Sequence, residues 1–277
     1  FSAPESSLIL NQPDSLLSLS GSGRVPRVLI KATQANERGL QIVGKPTLLA
    51  LEFEVDTSLS VQDRFSVEEG IVIRKVLTLN DSGTFASALV LDGGTLQVTG
   101  QPTLSGVVSQ LSASKVGLSE GAVLSTTQAV DLGGSLLSLE GPGRLANGQP
   151  FVLDEPSAGL DLSGGVVVTG PLNLGGGVFF SSGDAEVSGA LNLLSDASLQ
   201  INESKTLTYS GPQMSIGQNT LTLAGGGIFS NTNALILDDP LSGLRLSGTN
   251  TVLGPLSLNS GKIDVVESST LSGDLLL

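Results

Sequence analysis

The strongest constraint on the fold is a long stretch that occurs twice. Residues 139–193 align with residues 223–277 without a gap, at a constant offset of 84 in the numbering, and 22 of the 55 aligned pairs are identical. The identical positions are mainly Leu-x-Leu pairs and the Gly or Pro near them, whereas the residue between the leucines changes. Self-similarity at a fixed period indicates a repeat architecture, in which the shape of each unit is retained.

A shorter period lies within the long one. Val76–Leu79 resembles Thr95–Val98 at an offset of 19, and Leu160 follows Leu139 at an offset of 21. We therefore predict a basic unit of about 20 residues, with about four units in each 84-residue block.

The regular sequence from residue 76 to residue 277 is typical of short strands. Runs such as Thr95–Val98, Ser198–Ile201 and Thr220–Leu223 alternate apolar with small polar residues, which is the period of a β-strand. Gly, Asp, Asn, Ser and Pro interrupt these runs in the manner of turns, and no helix-period stretch of about 11 residues or more is present.

A unit of this length cannot bury its own apolar face, but stacked units can. We therefore predict an all-β fold, a right-handed parallel β-helix (β-solenoid) of about 20-residue coils. About 14 coils at a spacing near 4.8 Å would form a rod of roughly 65 Å. A β-sandwich is the main alternative, and it ranks lower because it does not require an ungapped 84-residue recurrence.

We interpret residues 1–277 as one solenoid with an atypical part at residues 24–75. Ser15–Leu19 matches Ser135–Leu139 at an offset of 120, so the N-terminal block is a related copy with about two extra units. Eight of the thirteen basic residues lie within residues 24–75, and the Leu-x-Leu signal is weak there. This part is either a set of altered coils with ion pairs on their outer faces or a cap or lateral insertion.

The composition excludes several function classes. A net charge of −13 argues against a nucleic-acid partner, because phosphate binding requires clustered Lys and Arg. The absence of His and Cys excludes Ser-His-Asp and Cys-His catalysis and metal sites built on imidazole or thiolate. No apolar run reaches the length of about 18 residues that a membrane helix needs. The chain begins with Phe1, and we interpret it as a mature chain or a fragment.

Paired carboxylates are the remaining candidates for catalysis. Asp154 and Glu155 recur as Asp238 and Asp239, and Pro follows both pairs. A catalytic pair should be singular, whereas a turn recurs, so we interpret both pairs as turns.

Other motifs also favour structural roles. Calcium binding by acidic turns is disfavoured because Asp161 is replaced by Arg245 in the next copy. The glycine clusters 175–177 and 225–227 are interpreted as corners. Phe179, Phe180 and Phe229 are interpreted as core or corner residues. We assign no catalytic, cofactor-binding or metal-binding residue and expect no cofactor.

Residues 244–265 resemble a known repeat. Their Leu-x-Leu-x-Gly-x-Asn start and their Gly-x-x-x-Val end are similar to the passenger-associated repeat of bacterial autotransporters. Val252 and Leu253 stand where that family prefers Tyr and Thr, and the copy at residues 160–177 is looser. The resemblance implies a β-helix that is secreted or displayed on the bacterial cell surface, as in autotransporter passengers and large adhesins.

The sequence thus predicts a structural or adhesive extracellular β-solenoid, a segment of a surface adhesin or fibre without catalytic activity. Its partners would be other copies of itself, or glycans or proteins of a host or matrix. One alternative is a filament subunit that stacks end to end through the coil at Asp274–Leu277, which has no polar cap. Another is a polysaccharide-active enzyme that uses the charged residues of residues 24–75, and a third is an ice-binding protein.

Overall fold

The computed structural model describes residues 7–25, 27–30 and 34–277, and these form a solenoid of parallel strands. Every regular element of the described residues is a strand. Every third strand along the chain belongs to the same face, so each coil contributes three strands. This arrangement confirms the predicted all-β parallel solenoid.

The described strands have the following bounds. The first ten are β1 (Ser7–Leu10), β2 (Leu17–Gly21), β3 (Arg24–Val25), β4 (Arg27–Ile30), β5 (Asn36–Gly44), β6 (Thr47–Leu48), β7 (Leu51–Phe53), β8 (Thr57–Val61), β9 (Arg64–Val67) and β10 (Ile71–Ile73). The next ten are β11 (Val76–Asn80), β12 (Thr84–Phe85), β13 (Leu89–Asp92), β14 (Thr95–Val98), β15 (Thr103–Leu104), β16 (Val108–Ser112), β17 (Ser114–Leu118), β18 (Val123–Thr126), β19 (Val130–Asp131) and β20 (Leu136–Glu140). They are followed by β21 (Arg144–Asn147), β22 (Phe151–Leu153), β23 (Gly159–Ser163), β24 (Val167–Val168), β25 (Leu172–Leu174), β26 (Val178–Ser181), β27 (Ala185–Val187), β28 (Leu191–Leu193), β29 (Ala197–Ile201) and β30 (Thr206–Tyr209). The last ten are β31 (Met214–Ser215), β32 (Thr220–Gly225), β33 (Ile228–Asn231), β34 (Leu235–Leu237), β35 (Gly243–Gly248), β36 (Thr251–Leu253), β37 (Leu256–Leu258), β38 (Lys262–Val265), β39 (Thr270–Ser272) and β40 (Leu275–Leu276).

Two of the three faces are continuous sheets. The first face runs from β2 to β38 and the second from β3 to β39, and each contains 13 strands. The third face consists of three sheets, β1 to β7, β10 to β28 and β31 to β40. Thirteen layers at a spacing of about 4.8 Å correspond to a rod of about 60 Å, slightly shorter than the sequence predicts.

Alternation of side chains along each strand builds the core. In β20, Leu137 and Leu139 point inward and are buried, whereas Ser138 points outward. Most of the buried apolar residues belong to one cluster that follows the solenoid from β4 to β37. The leucines at alternate positions therefore supply a single continuous core, which removal of apolar surface from water stabilises.

The 84-residue block corresponds to four coils, because β20 to β28 recur as β32 to β40. The register within the sheet differs from the sequence alignment by two residues. Leu139 is equivalent to Leu223 in the alignment, but the ladder that leads to Leu223 begins at Leu137 and passes through Leu160, Phe179 and Leu199. Leu139 itself lies beside Leu162, so the 21-residue spacing from Leu139 to Leu160 is not a coil length. An offset of two residues keeps the same side chains facing inward.

The corners at Asn147 and Asn231 explain why Gly170 recurs as Gly254. The Asn147 side chain donates hydrogen bonds to the Gln149 carbonyl at 3.1 Å and to the Pro171 carbonyl of the next coil at 2.8 Å. A Cβ atom on Gly170 would lie 1.9 Å from the Asn147 carbonyl oxygen, so only Gly fits there. Asn231 binds the Asn233 and Pro255 carbonyls in the same way, at 2.9 and 2.8 Å.

Candidate functional site

The third face opens between β7 and β10, where consecutive coils are not joined by a strand ladder. We call this opening the slit. Both of its ends are closed by hydrogen bonds between the same two coils. At one end the Glu69 N–H donates to the Leu49 carbonyl at 3.1 Å, and at the other the Val76 N–H donates to the Asp56 carboxylate at 2.9 Å. The slit is therefore a local separation within a closed stack.

The backbone groups that line the slit follow from the alternation of a parallel ladder. The Glu54 N–H donates back to the Ile30 carbonyl at 2.9 Å, so the backbone of Leu51 and Phe53 points toward β10. We call β7 and β10 the two banks of the slit. On β10 the Ile71 N–H donates forward to the Ala88 carbonyl at 2.9 Å, so the backbone of Val72 points toward β7. Each bank thus presents both N–H donors and carbonyl acceptors to the slit.

A cavity of about 490 Å³ lies over the slit. It is lined by residues 50–54 on one bank and by Glu69, Gly70, Val72, Arg74 and Lys75 on the other. Leu51 and Phe53 belong to the inward row of β7, but Phe53 is only half-buried because the slit exposes its side. Val72 points outward and is 38% exposed. The floor of the cavity is therefore apolar, and its rim is charged.

One arginine holds two carboxylates at the rim. The Arg27 guanidinium, on β4, pairs with Glu52 on β7, and its Nη2 also lies 3.1 Å from Glu69 Oε2. This arrangement spans three consecutive coils, because Glu69 lies two residues before the first residue of β10. Among the described residues, Lys75 has no acidic partner within 4.0 Å and presents its ammonium group to solvent.

Asp92 anchors the second cation of the rim. Its carboxylate accepts a hydrogen bond from the Ser112 hydroxyl at 2.9 Å and another from Arg74 Nε at 2.7 Å. The Ser112 hydroxyl first, and the Arg74 guanidinium second, hold the pKa of the Asp92 carboxyl below its ordinary value. Arg74 is thereby kept beside the slit.

A second opening of the third face, between β28 and β31, is filled by the chain's own side chains. The Asn219 side-chain amide donates to the Leu193 carbonyl at 3.1 Å. The Leu193 carbonyl lies on the unpaired edge of β28, as the Phe53 carbonyl lies on the unpaired edge of β7. Tyr209 and Met214 are buried beside this opening. The Tyr209 hydroxyl donates to the Pro212 carbonyl at 2.7 Å, and burial raises the pKa of this hydroxyl.

The carboxylate pairs considered in the sequence lie apart from the slit and from each other. Both occupy turns between the third and first faces, four coils apart. The Ala158 N–H donates to the Glu155 carbonyl, and the Ser242 N–H donates to the Asp239 carbonyl, each at 2.9 Å. These hydrogen bonds close the turns that the sequence predicts.

Asp161 also has a structural environment. Its carboxylate accepts hydrogen bonds from the Ser182 N–H at 3.1 Å and the Ser182 hydroxyl at 2.9 Å. No three acidic residues of the described part of the chain lie close enough together to hold a metal ion.

The glycine clusters 175–177 and 225–227 lie mostly between strands, at corners of the solenoid. Phe179 and Phe229 are buried in the core as predicted, but Phe180 is not. Phe180 lies on the outer side of the first face, beside Asp161 and Gln200, and is half-buried. The core interpretation of Phe180 is wrong because the strand alternates and its neighbour Phe179 takes the inward position.

Sequence reasoning marked residues 24–75 as unusual but did not locate the slit. The available signals were the loss of the Leu-x-Leu pattern and Gly70, whose φ of 78° turns the chain immediately before β10. Strands β3 to β10 within residues 24–75 contribute to all three faces of the solenoid.

No protein-family model, no curated protein and no solved structure matches the chain. Within the described residues, no helix is present that has the length and apolar character needed to cross a membrane.

Proposed function

We propose that this chain is a rigid structural and adhesive segment of an extracellular protein on the bacterial surface. The observation that carries the proposal is the continuity of the first and second faces, each of which joins 13 strands in one ladder. Because every layer is bonded to the next and shares one core, bending the rod would break many hydrogen bonds at once. Such a body suits a spacer that holds a contact surface away from a cell.

The charge distribution supports a contact surface near the N-terminal coils. Residues 24–75 carry eight basic and seven acidic residues, whereas the rest of the chain carries five and nineteen. An acidic rod disfavours non-specific association with anionic polymers and surfaces, so a ligand would meet least repulsion at the N-terminal coils. The resemblance of residues 244–265 to the autotransporter passenger repeat is consistent with this setting.

We further propose that the segment does not catalyse a reaction. The slit carries the mixture of acids and bases that a polysaccharide-active enzyme would need, and this observation makes such an enzyme the second candidate. However, the carboxylates of Glu52 and Glu69 both pair with Arg27. These ion pairs join coils of the stack, as the pair of Arg24 with Glu68 does, which favours a structural role for both carboxylates.

The test combines adhesion with viscosity. Beads coated with the full chain are passed over surfaces that carry polysaccharides or matrix proteins, and the viscosity of the same polysaccharides is followed after addition of the chain. We expect retention of the beads on at least one surface without loss of viscosity. A fall in viscosity would favour the enzyme. Failure of the beads to bind any surface, with the rod intact by small-angle scattering, would contradict the adhesive role.

A further inference from the structure

We propose that the slit is a carbohydrate-binding site that takes the hydroxyl edge of a sugar ring between β7 and β10 and prefers sugars that carry a carboxylate. The proposal rests on the adhesive function proposed above and names the class of its ligand. The width of the slit, its floor, its rim and the second opening of the same face support it.

The width of the slit favours hydroxyl groups over a peptide strand. Some Cα atoms of β7 and β10 lie within 8 Å of each other, although no ladder joins the two strands. An inserted strand needs two ladder spacings, roughly 9.6 Å, so the slit is too narrow there for a strand. A single layer of hydroxyl oxygens can bridge the two banks, as an ordered water does.

The chemistry of the banks also fits hydroxyl groups. Leu51 and Phe53 on one bank and Val72 on the other present both N–H and carbonyl groups to the slit. A hydroxyl group can donate and accept at the same time, so a row of sugar hydroxyls can complement both kinds of group. These backbone groups would otherwise have to be satisfied by water alone.

The floor offers an apolar surface beside these polar groups. Phe53 packs against the core from the inward row of β7, but it is half-buried and lines the cavity. The C–H face of a pyranose ring can pack on an aromatic side chain while its hydroxyls bind the banks, since such sites combine an apolar wall with a few polar groups.

The rim explains the preference for a carboxylate. Arg27 holds Glu52 and Glu69 in place, so their oxygens are available to accept hydrogen bonds from sugar hydroxyls. Lys75 also lines the cavity and has no acidic partner within 4.0 Å among the described residues. A ligand carboxylate placed beside Lys75 would form the ion pair that the chain does not supply.

The second opening shows what occupies such a gap when no ligand is needed. There the Asn219 amide binds the outward carbonyl of Leu193, and Tyr209 is buried beside it. In the described residues no side chain donates to the equivalent carbonyl of Phe53, and a cavity of about 490 Å³ remains. The polar groups and the ring that fill the second opening are thus what a sugar would supply at the slit.

The experiment measures binding of two hexasaccharides, one of glucose and one of galacturonate, to the full chain by titration calorimetry. Val72→Trp fills the slit from an exposed position, and Val90→Trp on the paired strand β13 is its matched control. We expect Val72→Trp to weaken binding by about tenfold or more and Val90→Trp to change it by less than about twofold. Lys75→Gln should lower the affinity for galacturonate to that for glucose.

The proposal is overturned if both tryptophan variants bind alike, or if the wild-type chain binds neither sugar. Amide shifts of Leu51, Phe53 and Val72 in the NMR spectrum of the wild-type chain test the site independently, should Val72→Trp fail to fold. Tighter binding of an extended peptide at these amides would also overturn it. If beads coated with the Val72→Trp variant are retained as strongly as wild-type beads, the slit is not the binding site. The adhesive function would still stand.

Discussion

The coils of residues 24–75 and those of residues 76–277 are stacked by the same ladders but held together differently. The N-terminal coils carry ion pairs between the outer sides of different coils, including Arg24 with Glu68 and Arg27 with Glu52 and Glu69, and their third face is split by the slit. The later coils share the same apolar core and are joined at their corners by side-chain amides such as that of Asn147. Two continuous faces therefore suffice to keep the stack in register, and the third face is free to vary.

The second opening, between β28 and β31, lies within the regular coils. It shows that the loss of a ladder on the third face does not by itself create a cavity, since Asn219 and Tyr209 fill the gap. What distinguishes the slit is that charged residues surround it and no comparable side chain of the described residues occupies it.

Truncation of a core leucine should separate the two regions most clearly. Leu162 is fully buried in the regular stack, so Leu162→Ala should lower the free energy of unfolding by about 3–5 kcal/mol. Leu51 borders the slit, so Leu51→Ala should cost less, because water can enter the space that it leaves. Denaturant unfolding of both variants measures the difference. Equal losses would contradict the view that the core is open at the slit.

A methyl group added at a corner should have the next largest effect. Gly170→Ala would place its Cβ atom against the Asn147 carbonyl, and we expect a loss of about 1–3 kcal/mol in the free energy of unfolding. Gly23→Ala is the control, because no atom lies within 4 Å of its Cβ position. Thermal unfolding of both variants checks the prediction. A Gly170→Ala variant as stable as Gly23→Ala would show that the corner can relax.

Removal of the bridging arginine should have a smaller effect that depends on salt. Arg27→Ala leaves Glu52 and Glu69 close together without their shared cation, but all three are well exposed. We expect a loss of about 1 kcal/mol or less, which fades as the salt concentration approaches about 1 M. Lys115→Ala, which breaks a single ion pair with Glu140 in the regular coils, serves as the comparison. A loss that persists in high salt would indicate a packing role for Arg27.

The smallest expected effect concerns the pH dependence at Asp92. Because its pKa is lowered in the folded chain, its hydrogen bonds stabilise the fold above the unfolded pKa of about 3.9. This contribution is lost as the pH falls through the lowered folded value. Ser112→Ala and Arg74→Gln should each raise the folded pKa of Asp92, because the Ser112 hydroxyl and the Arg74 guanidinium both lower it. NMR titration of the Asp92 carboxyl measures both variants. An unchanged pKa in either variant would contradict this assignment.

The sequence predicted the elements that depend on local alternation and on the repeat. Val76–Leu79 and Thr95–Val98 pair in the register that their 19-residue spacing indicates. The division of the long repeat into four coils was also predictable, because each copy retains the same leucines and corner glycines.

The register and the slit were not predictable, because both depend on small differences in coil length. Leu139 and Leu160 look equivalent in the sequence, yet Leu139 lies beside Leu162. The slit arises where Gly70 turns the chain so that β10 pairs forward with β13 and not back with β7. The alternation of apolar and polar residues does not by itself distinguish a paired strand from an unpaired one, since both alternate in the same way.

The two-residue offset between the repeat and the ladder has a consequence for the outer surface. On the first and second faces, a residue and its equivalent four coils later are displaced sideways by about 7 Å, the length of two strand residues. Matching surface features therefore follow a slanting line along the rod and not a line parallel to its axis. A long partner that contacted each copy in the same way would have to cross the rod obliquely.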